Sequence, residues 1–193
     1  MLRKVWHLLG LIFPAAYYFG LFSRRVTLIF LAAAVVFVAI VEAGRFLIPA
    51  VNRVFLAAFR LIIREEERKG VNASLIYLTG AFLTILVFSK PIACASLAYL
   101  GFGDTAAGLV GRYWKTGRVS FRNKKSLQGT LACVVVCFGV GVLIVPWPLA
   151  LAGALAAAGA ELFSPGKWDN GVIPLSAAGV MWLTATVIGA LGA

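Results

Sequence analysis

Long apolar stretches alternate with short polar connections along the chain. The apolar stretches are 5–22, 26–41, 71–89, 91–111, 129–145, 147–162 and 171–192. Most of them approach the roughly 20 residues that an α-helix needs to cross the hydrocarbon core of a bilayer. The stretch 147–162, rich in alanine and glycine, suits a helix that is tilted, half-inserted or packed against protein. The pattern predicts an all-α, polytopic membrane protein with about seven transmembrane helices, forming a single domain over 1–193.

The connection between the second and third stretches has the pattern of a surface helix. At helical spacing its arginines fall within about 100° of one another, and large apolar residues lie opposite them. The arginines are Arg45, Arg53, Arg60 and Arg64, and the apolar residues are Phe46, Leu47, Phe55 and Phe59. We expect one interfacial amphipathic helix within 45–70, lying on anionic headgroups, with a solvated end at 64–69.

Composition agrees with a membrane protein, and the basic residues predict its orientation. Hydrophobic residues make up 62% of the chain, which carries a formal net charge of +11. If the stretches cross the bilayer in turn, fifteen of the eighteen Lys and Arg residues fall on the side of the N-terminus. By the positive-inside rule, we expect a multi-pass cell-membrane protein with a cytoplasmic N-terminus and the C-terminus on the opposite side. This distribution argues against a nucleic-acid partner.

Four acidic residues are candidates for function. The chain has seven acidic residues, and three of them belong to the solvated run at 64–69. The other four, all expected near the cytoplasmic side, are Glu42, Asp104, Glu161 and Asp169. An ionised carboxylate inside a membrane helix costs at least about 2.5 kcal/mol and usually faces a cavity, a partner or a metal.

The sequence offers a local partner for only one of these acids at helical spacing. Arg45 follows Glu42 by three residues and can neutralise it, so structural and functional interpretations of that pair remain equal. No lysine or arginine lies within one helical turn of Asp104 or Glu161 in the sequence. These two acids therefore favour a functional role.

Small residues surround Asp104 in the segment GFGDTAAGLVGR, 101–112. Its glycines indicate that something approaches closely, and helix packing is the alternative explanation for Gly108 and Gly111. A basic loop, 112–125, follows and leads into KKSLQGT, 124–130. Lys124, Lys125, the Ser126 hydroxyl and the backbone amides at Gly129 and Thr130 predict a cradle for a polyphosphate.

The acids and the basic loop together suit a metal-assisted reaction of phosphates. Mg²⁺ prefers hard oxygen ligands and usually bridges one or two carboxylates to substrate phosphates, and Asp104, Glu161 and Asp169 supply such oxygens. The combination predicts phosphoryl or nucleotidyl transfer at the cytoplasmic membrane surface. A small cation-coupled transporter is a third hypothesis, which accounts for Asp104 but explains the basic loop poorly.

Five motifs occur in order along nearly the whole chain. They are RKVWH at 3–7, EAGR at 42–45, GDTAAGLVGR at 103–112, KKSLQGT at 124–130, and Glu161 followed by DNGVIP at 169–174. This set resembles the CTP-dependent lipid-alcohol kinases, which include dolichol kinase, phytol kinase and the CTP-dependent diacylglycerol kinase. The related CDP-lipid synthases share a similar aspartate-glycine helix and Lys-Ser loop, so a cytidylyltransferase remains the close alternative.

The resemblance implies transfer of the terminal phosphate of CTP to a membrane-embedded alcohol, with Mg²⁺ or another divalent cation. The acceptor would be a polyprenol or dolichol, a phytol-like isoprenoid alcohol, or diacylglycerol. Which alcohol it is, and whether the chain forms a homo-oligomer, stays open.

The same resemblance implies roles for individual residues. Asp104 would bind the cation with Glu161 or Asp169, and the remaining acid would serve as the base, an assignment that stays open. The expected phosphate and nucleotide contacts are Arg112, Lys124, Lys125, Ser126, Gln128, Gly129, Asn170, Gly108 and Gly111. Gln128 stands where the family usually has glutamate, which leaves the nucleotide preference open. His7 joins the catalytic set through the resemblance, and the supporting residues are Arg3, Lys4, Glu42 and Arg45.

Overall fold

The computed structural model describes residues 9–60, 63, 65–114 and 125–191, and the regular elements in these ranges are helices. A π-helical turn, Tyr99–Gly103, joins the sixth helix to the seventh, and a 3-10 turn, Gly166–Trp168, precedes the last. The helices are α1 (Ile12–Tyr18), α2 (Arg24–Leu47), α3 (Pro49–Ala58), α4 (Glu65–Arg68), α5 (Ala73–Val87), α6 (Lys90–Ala98), α7 (Asp104–Tyr113), α8 (Leu127–Gly141), α9 (Trp147–Phe163) and α10 (Asp169–Leu191). The predicted all-α class is confirmed.

The apolar helices coincide with the predicted apolar stretches. Within the described ranges, three helices are long and apolar enough to cross a membrane: Arg24–Leu47, Lys90–Tyr113 and Gly166–Gly189. The shorter helices α5, α8 and α9 are apolar as well. Helix α1 falls within the predicted stretch 5–22, whose first residues lie outside the described part of the chain. The count of seven spans stays a prediction.

The continuous helix from α6 to α7 forms the centre of the protein. In its apolar span 61% of the residues are buried, whereas in the span of α2 only 17% are. Tyr99 in the π-helical turn is fully buried and donates its hydroxyl hydrogen to the Ala150 carbonyl of α9, over 3.2 Å. Gly153 leaves room for the ring, since a Cβ there would lie 3.0 Å from Tyr99 Cε2.

Helix α9 shows why an alanine-rich stretch suits this position. Its small residues Ala150, Ala154, Ala157 and Ala158 are buried, while Leu155 on the other face is exposed. Small side chains let helix backbones approach closely. One face of α9 is thus packed against protein while the other is exposed, so the interpretation of a helix packed wholly against protein is not confirmed.

A helix predicted within 45–70 is found and begins at Pro49, but the prediction that Arg45 belongs to its basic face is wrong. Helix α2 continues to Leu47, Ile48 is extended (φ −121°, ψ 107°), and Pro49 begins the separate helix α3. The residue before a proline avoids the helical region, and proline is favoured in the first turn of a helix. Because of this break, Arg45 belongs to α2, is only 2% exposed, and does not lie on the headgroup face.

The expected arrangement of charges around this connection also needs correction. The Arg45 guanidinium carbon lies 4.8 Å from the Phe46 ring centre and 5.0 Å from that of Phe55, so these aromatic residues are not opposite it. Glu67, expected to be solvated, is 3% exposed. Arg64, expected on the same face as Arg45, lies outside the described residues.

Candidate active site

Lys125 lies between two buried carboxylates that belong to different helices. Its Nζ is 3.0 Å from Glu161 Oε1 and 3.2 Å from Asp169 Oδ2, and it also donates to the Glu161 backbone carbonyl. Glu161 and Asp169 are each 5% exposed. A buried carboxylate without a counter-charge is strongly destabilising, so the ammonium group compensates charge that the helices alone leave unbalanced.

A short connection between α9 and α10 brings the two acids together. Glu161 lies in the last turn of α9, and Asp169 is the first residue of α10. Between them, Gly166 adopts a left-handed backbone with φ of 55°, which residues with a side chain rarely adopt. A Cβ at this glycine would also overlap the Glu66 carboxylate. The turn therefore depends on glycine for its backbone conformation, and the Glu66 carboxylate lies against it.

Asp104 joins this group from the central helix. It is the first residue of α7, directly after the π-helical turn, and it is partly exposed. Its charge and that of Glu161 both interact with the Asp169 carboxylate. Single π-helical turns inside α-helices occur frequently at functional sites. Lys125, Glu161 and Asp169 therefore form one contact group, and Asp104 lies near enough to Asp169 for their charges to interact.

The site suits a divalent cation only in part. The described residues contain no group of three or more histidine, cysteine or carboxylate side chains placed to hold a metal ion, so the predicted three-carboxylate set is not confirmed. Asp169 Oδ1, however, is buried and has no hydrogen-bond partner in the described structure. Mg²⁺ is normally held by one or two carboxylates together with substrate phosphates. Asp169 with its neighbour Asp104 fits that requirement.

The glycines near Asp104 accommodate helix α8. A Cβ at Gly103 would overlap Cys137 Sγ, one at Gly111 would lie 2.8 Å from Ser126 Oγ, and one at Gly129 would lie 2.7 Å from the Ala107 carbonyl oxygen. Protein atoms thus approach Gly111 and Gly129 closely, which favours the helix-packing explanation for Gly111. The nucleotide contacts predicted at both glycines stay a prediction. Gly108 is exposed, and its nucleotide role stays a prediction.

The backbone amides of the predicted phosphate cradle at 126–130 form hydrogen bonds within the chain. Ser126 is the N-cap of α8, and its Oγ accepts a hydrogen bond from the Gly129 amide over 3.1 Å. The Thr130 amide donates to the Ser126 carbonyl over 3.1 Å. Side-chain capping satisfies amides that the first helical turn leaves unpaired. Both amides therefore donate within the chain in this structure, and a phosphate contact at these positions stays a prediction.

Comparison with known proteins identifies the relatives of this chain. It is 29% identical over 157 residues to CTP-dependent diacylglycerol kinase 1 of Schizosaccharomyces pombe, covering 72% of each chain. It is 37% identical over 136 residues to the protein of that name from Eremothecium gossypii, covering 69% of this chain and 42% of that protein. The chain is therefore similar to proteins named as CTP-dependent diacylglycerol kinases.

Plant relatives of this kinase family match as well. Probable phytol kinase 1, chloroplastic, of Glycine max is 31% identical over 148 residues, which are 72% of this chain and 46% of that protein. The chain thus spans about half the length of several curated relatives. No family model and no solved structure matches it.

The remaining predicted site residues differ in their exposure to solvent. Arg112 is exposed in the last turn of α7, and Gln128 is partly buried in the first turn of α8. Asn170 is 2% exposed, and its Nδ2 donates to the Lys167 carbonyl over 2.8 Å. A nucleotide contact of Asn170 would thus use its amide oxygen or the second Nδ2 hydrogen. Predictions for Arg3, Lys4, His7 and Lys124 fall outside the described residues.

The Glu-x-x-Arg motif of the resemblance forms a separate buried pair. Arg45 Nη2 lies 2.9 Å from Glu42 Oε2, and both residues are buried. Of the two interpretations left open, the structural pairing is observed. Sequence reasoning missed two contacts near this pair. The Glu67 carbonyl accepts a hydrogen bond from Arg45 Nη1, and Lys167 Nζ donates to the Val71 carbonyl. A charged residue in a connection carries no local signal of burial, because its contacts come from distant segments.

Proposed function

We propose that this protein transfers the terminal phosphate of CTP to the hydroxyl group of a membrane-embedded lipid alcohol at the cytoplasmic face of the membrane. The observation that carries the proposal is the buried contact of Lys125 with Glu161 and Asp169 at the ends of apolar helices, with the Asp104 charge acting on Asp169. The homology to CTP-dependent diacylglycerol kinases and phytol kinases supports the donor and the acceptor class.

Phosphoryl transfer depends chiefly on positioning and on electrostatic stabilisation. The acceptor hydroxyl loses its proton to a carboxylate, Asp169 or Glu161, and its oxygen forms a bond to the γ-phosphorus. The bond from that phosphorus to the β–γ bridging oxygen breaks, and CDP leaves with the electron pair. General-base catalysis of this kind needs a carboxylate within hydrogen-bond reach of the hydroxyl.

Lys125 has two sets of anionic partners in this scheme. Without nucleotide it neutralises Glu161 and Asp169, and a triphosphate offers it stronger multivalent anionic contacts. When Lys125 turns towards the phosphates, the Asp169 and Glu161 carboxylates become available to the reaction. The exposed Arg112 side chain supplies a second positive charge for the phosphates.

A divalent cation, when bound, would be held by Asp104 together with whichever of Asp169 and Glu161 does not serve as the base, and it would neutralise charge on the terminal phosphates of CTP. The acceptor is a polyprenol or dolichol, a phytol-like isoprenoid alcohol, or diacylglycerol, since each presents a hydroxyl group at the interface and an apolar tail to the bilayer.

The test uses purified protein, magnesium, and CTP or ATP labelled in the γ-phosphate. Phytol, dolichol, undecaprenol and diacylglycerol are offered as acceptors in mixed micelles, and the lipid fraction is analysed for label. We expect label from γ-labelled CTP in at least one phosphorylated lipid, and none with the Asp104→Asn variant. Label from α-labelled CTP in the lipid would instead establish a cytidylyltransferase and refute the kinase.

A further inference from the structure

Arg45 holds a segment of the chain that does not belong to its own helix. The strap, defined here as residues 65–72, connects the region after α3 to α5. Arg45 Nη1 donates to the Glu67 carbonyl over 2.9 Å, and Nη2 donates to the Gly70 carbonyl over 2.6 Å. Glu42 Oε2, which also accepts from Arg45, receives the Asn72 amide over 3.1 Å. The buried pair thus binds the strap at three backbone positions.

The other side of the strap contacts the connection between α9 and α10. Lys167 Nζ donates to the Val71 carbonyl over 2.8 Å. A Cβ at Gly70 would lie 2.7 Å from that same Nζ, and a Cβ at Gly166 would overlap the Glu66 carboxylate. The strap therefore lies between the Arg45 guanidinium and the turn that precedes α10, and it contacts that turn through the Lys167 and Glu66 side chains.

The turn in contact with the strap leads directly to an acid of the candidate active site. The Lys167 carbonyl accepts from Asn170 Nδ2 over 2.8 Å, and Asp169 lies between these two residues as the first residue of α10. Helix α5, which begins where the strap ends, supports the same place, since a Cβ at its Gly80 would lie 3.0 Å from Gly171 Cα. The position of Asp169 therefore depends on contacts that the strap makes.

We propose that Arg45 is a positioning residue for Asp169, acting through the strap and Lys167. Arg45 touches neither reacting group. It sets the position of the strap carbonyls, and Lys167 transmits that position to the start of α10. This role goes beyond the proposed function. Only the predicted decrease in kcat rests on that function.

Arginine is required here because of its geometry. A guanidinium group offers five N–H donors in a rigid plane, whereas a lysine ammonium is a point charge on a flexible stem. One lysine at position 45 cannot reproduce bonds to Glu42, to the Glu67 carbonyl and to the Gly70 carbonyl in the same orientation. Arg45→Lys therefore keeps the positive charge and removes the set of hydrogen bonds that holds the strap.

The chain provides a matched control at the far end of α5. Arg24 donates from Nε to the Ile85 carbonyl over 3.1 Å and from Nη2 to the Leu86 carbonyl over 2.7 Å. It is also an arginine that binds two backbone carbonyls, but its partners are remote in sequence from the strap and from the α9–α10 turn. Arg24→Lys therefore removes an arginine that binds two carbonyls at the far end of α5 and that contacts neither the strap nor Lys167 in the described structure; unlike Arg45, it is exposed.

The first experiment is amide hydrogen exchange of the purified wild type, Arg45→Lys and Arg24→Lys, measured by mass spectrometry without nucleotide. We expect peptides over 65–72 and 166–172 to exchange about tenfold faster in Arg45→Lys, the factor that corresponds to losing one charge-assisted hydrogen bond. In Arg24→Lys the same peptides should exchange at the wild-type rate. Unchanged exchange over 166–172 in Arg45→Lys, or an equal increase in both variants, would overturn the proposal whatever the activity of the protein.

Lys167→Met removes the hydrogen bond between the α9–α10 turn and the Val71 carbonyl of the strap. This variant replaces Arg45→Lys in the experiment if Arg45→Lys does not fold. It should accelerate exchange over 166–172 while leaving 42–47 unchanged. An Arg45→Lys, Lys167→Met double variant should exchange over 166–172 no faster than the faster single variant, because both changes act on one chain of contacts. Additive effects would show two separate roles and would contradict the route.

The kinetic arm compares phosphate transfer from CTP in the same variants. Arg45→Lys should lower kcat about tenfold to a hundredfold, as expected for a displaced catalytic group, while KM for CTP stays near the wild-type value. A rise in KM with kcat unchanged would contradict the proposal, since it would indicate a lost binding contact. An inactive wild type would refute the proposed kinase function, and the exchange experiment would still decide the role of Arg45.

Discussion

Replacing Lys125 by methionine tests whether its ammonium group is the counter-ion of the candidate site. The change removes one positive charge and keeps an unbranched side chain of similar length. Two carboxylates, Glu161 and Asp169, then remain buried without their partner, each with a side chain 7% exposed. We therefore expect a large loss of stability and a complete loss of phosphate transfer.

The magnitude follows from the two ion-pair distances. At 3.0 and 3.2 Å and an effective dielectric constant of about 20, each pair gains roughly 5 kcal/mol of Coulomb energy before desolvation. Desolvation of the three groups offsets most of this gain, and breaking a buried pair by removing one partner typically costs about 3–5 kcal/mol. Lys125→Met should lower the free energy of unfolding by that amount.

The assay is reversible unfolding in mixed micelles, followed by tryptophan emission, to which Trp168 next to Asp169 contributes. A variant that combines Lys125→Met with Glu161→Gln and Asp169→Asn removes all three charges and should recover most of the lost stability, because no buried charge is then unpaired. Lys90→Met is the control for loss of a lysine, since Lys90 contacts only the Tyr17 ring in the described structure, at 5.3 Å. It should cost about 1 kcal/mol or less.

A Lys125→Met variant that unfolds within about 0.5 kcal/mol of the wild type, the range of a neutral surface substitution, would refute the counter-ion assignment. So would a charge-free triple variant that is less stable than Lys125→Met alone.

Three further predictions concern the neighbourhood of Asp104. Asp104→Asn should reduce phosphate transfer at least about a hundredfold, the scale for removing a charge-stabilising group, with unfolding unchanged; full activity would show that Asp104 is not in the site. Gly103→Ala should lower the free energy of unfolding by about 1–3 kcal/mol through overpacking, and Cys137→Ala in the same chain should restore part of it. Ser126→Ala should cost about 1 kcal/mol of stability as the loss of an N-cap. An unchanged unfolding curve with a raised KM for CTP would instead assign Ser126 to the nucleotide.

The residues of the site were predictable, but their pairing was not. Asp104, Glu161 and Asp169 were identified because carboxylates are costly in apolar segments, and Lys125 because it belongs to a basic loop beside a helix start. The sequence predicted Lys125 on a phosphate, whereas the structure places it between Glu161 and Asp169. Chain separations of 36 and 44 residues say nothing about which side chains face each other.

The glycines show a second limit of sequence reasoning. A small residue in a helix indicates that something approaches closely, and it does not tell whether a ligand or another helix does so. At Gly111 and Gly129 the approaching atoms belong to Ser126 and Ala107. Only the packing of α7 against α8 decided between the two interpretations.

The sequence by itself determined the all-helical class, the places of the apolar helices and the choice of candidate acids. Each of these depends on local chemistry, since backbone hydrogen bonds within a helix are satisfied by near neighbours and apolar length sets what can cross a bilayer. The tertiary structure decided that Arg45 turns inward onto the strap, that Glu67 is buried and that Lys125 joins two acids. These contacts depend on the rotation of each helix against its neighbours, which side chains far apart in the sequence determine together when they pack.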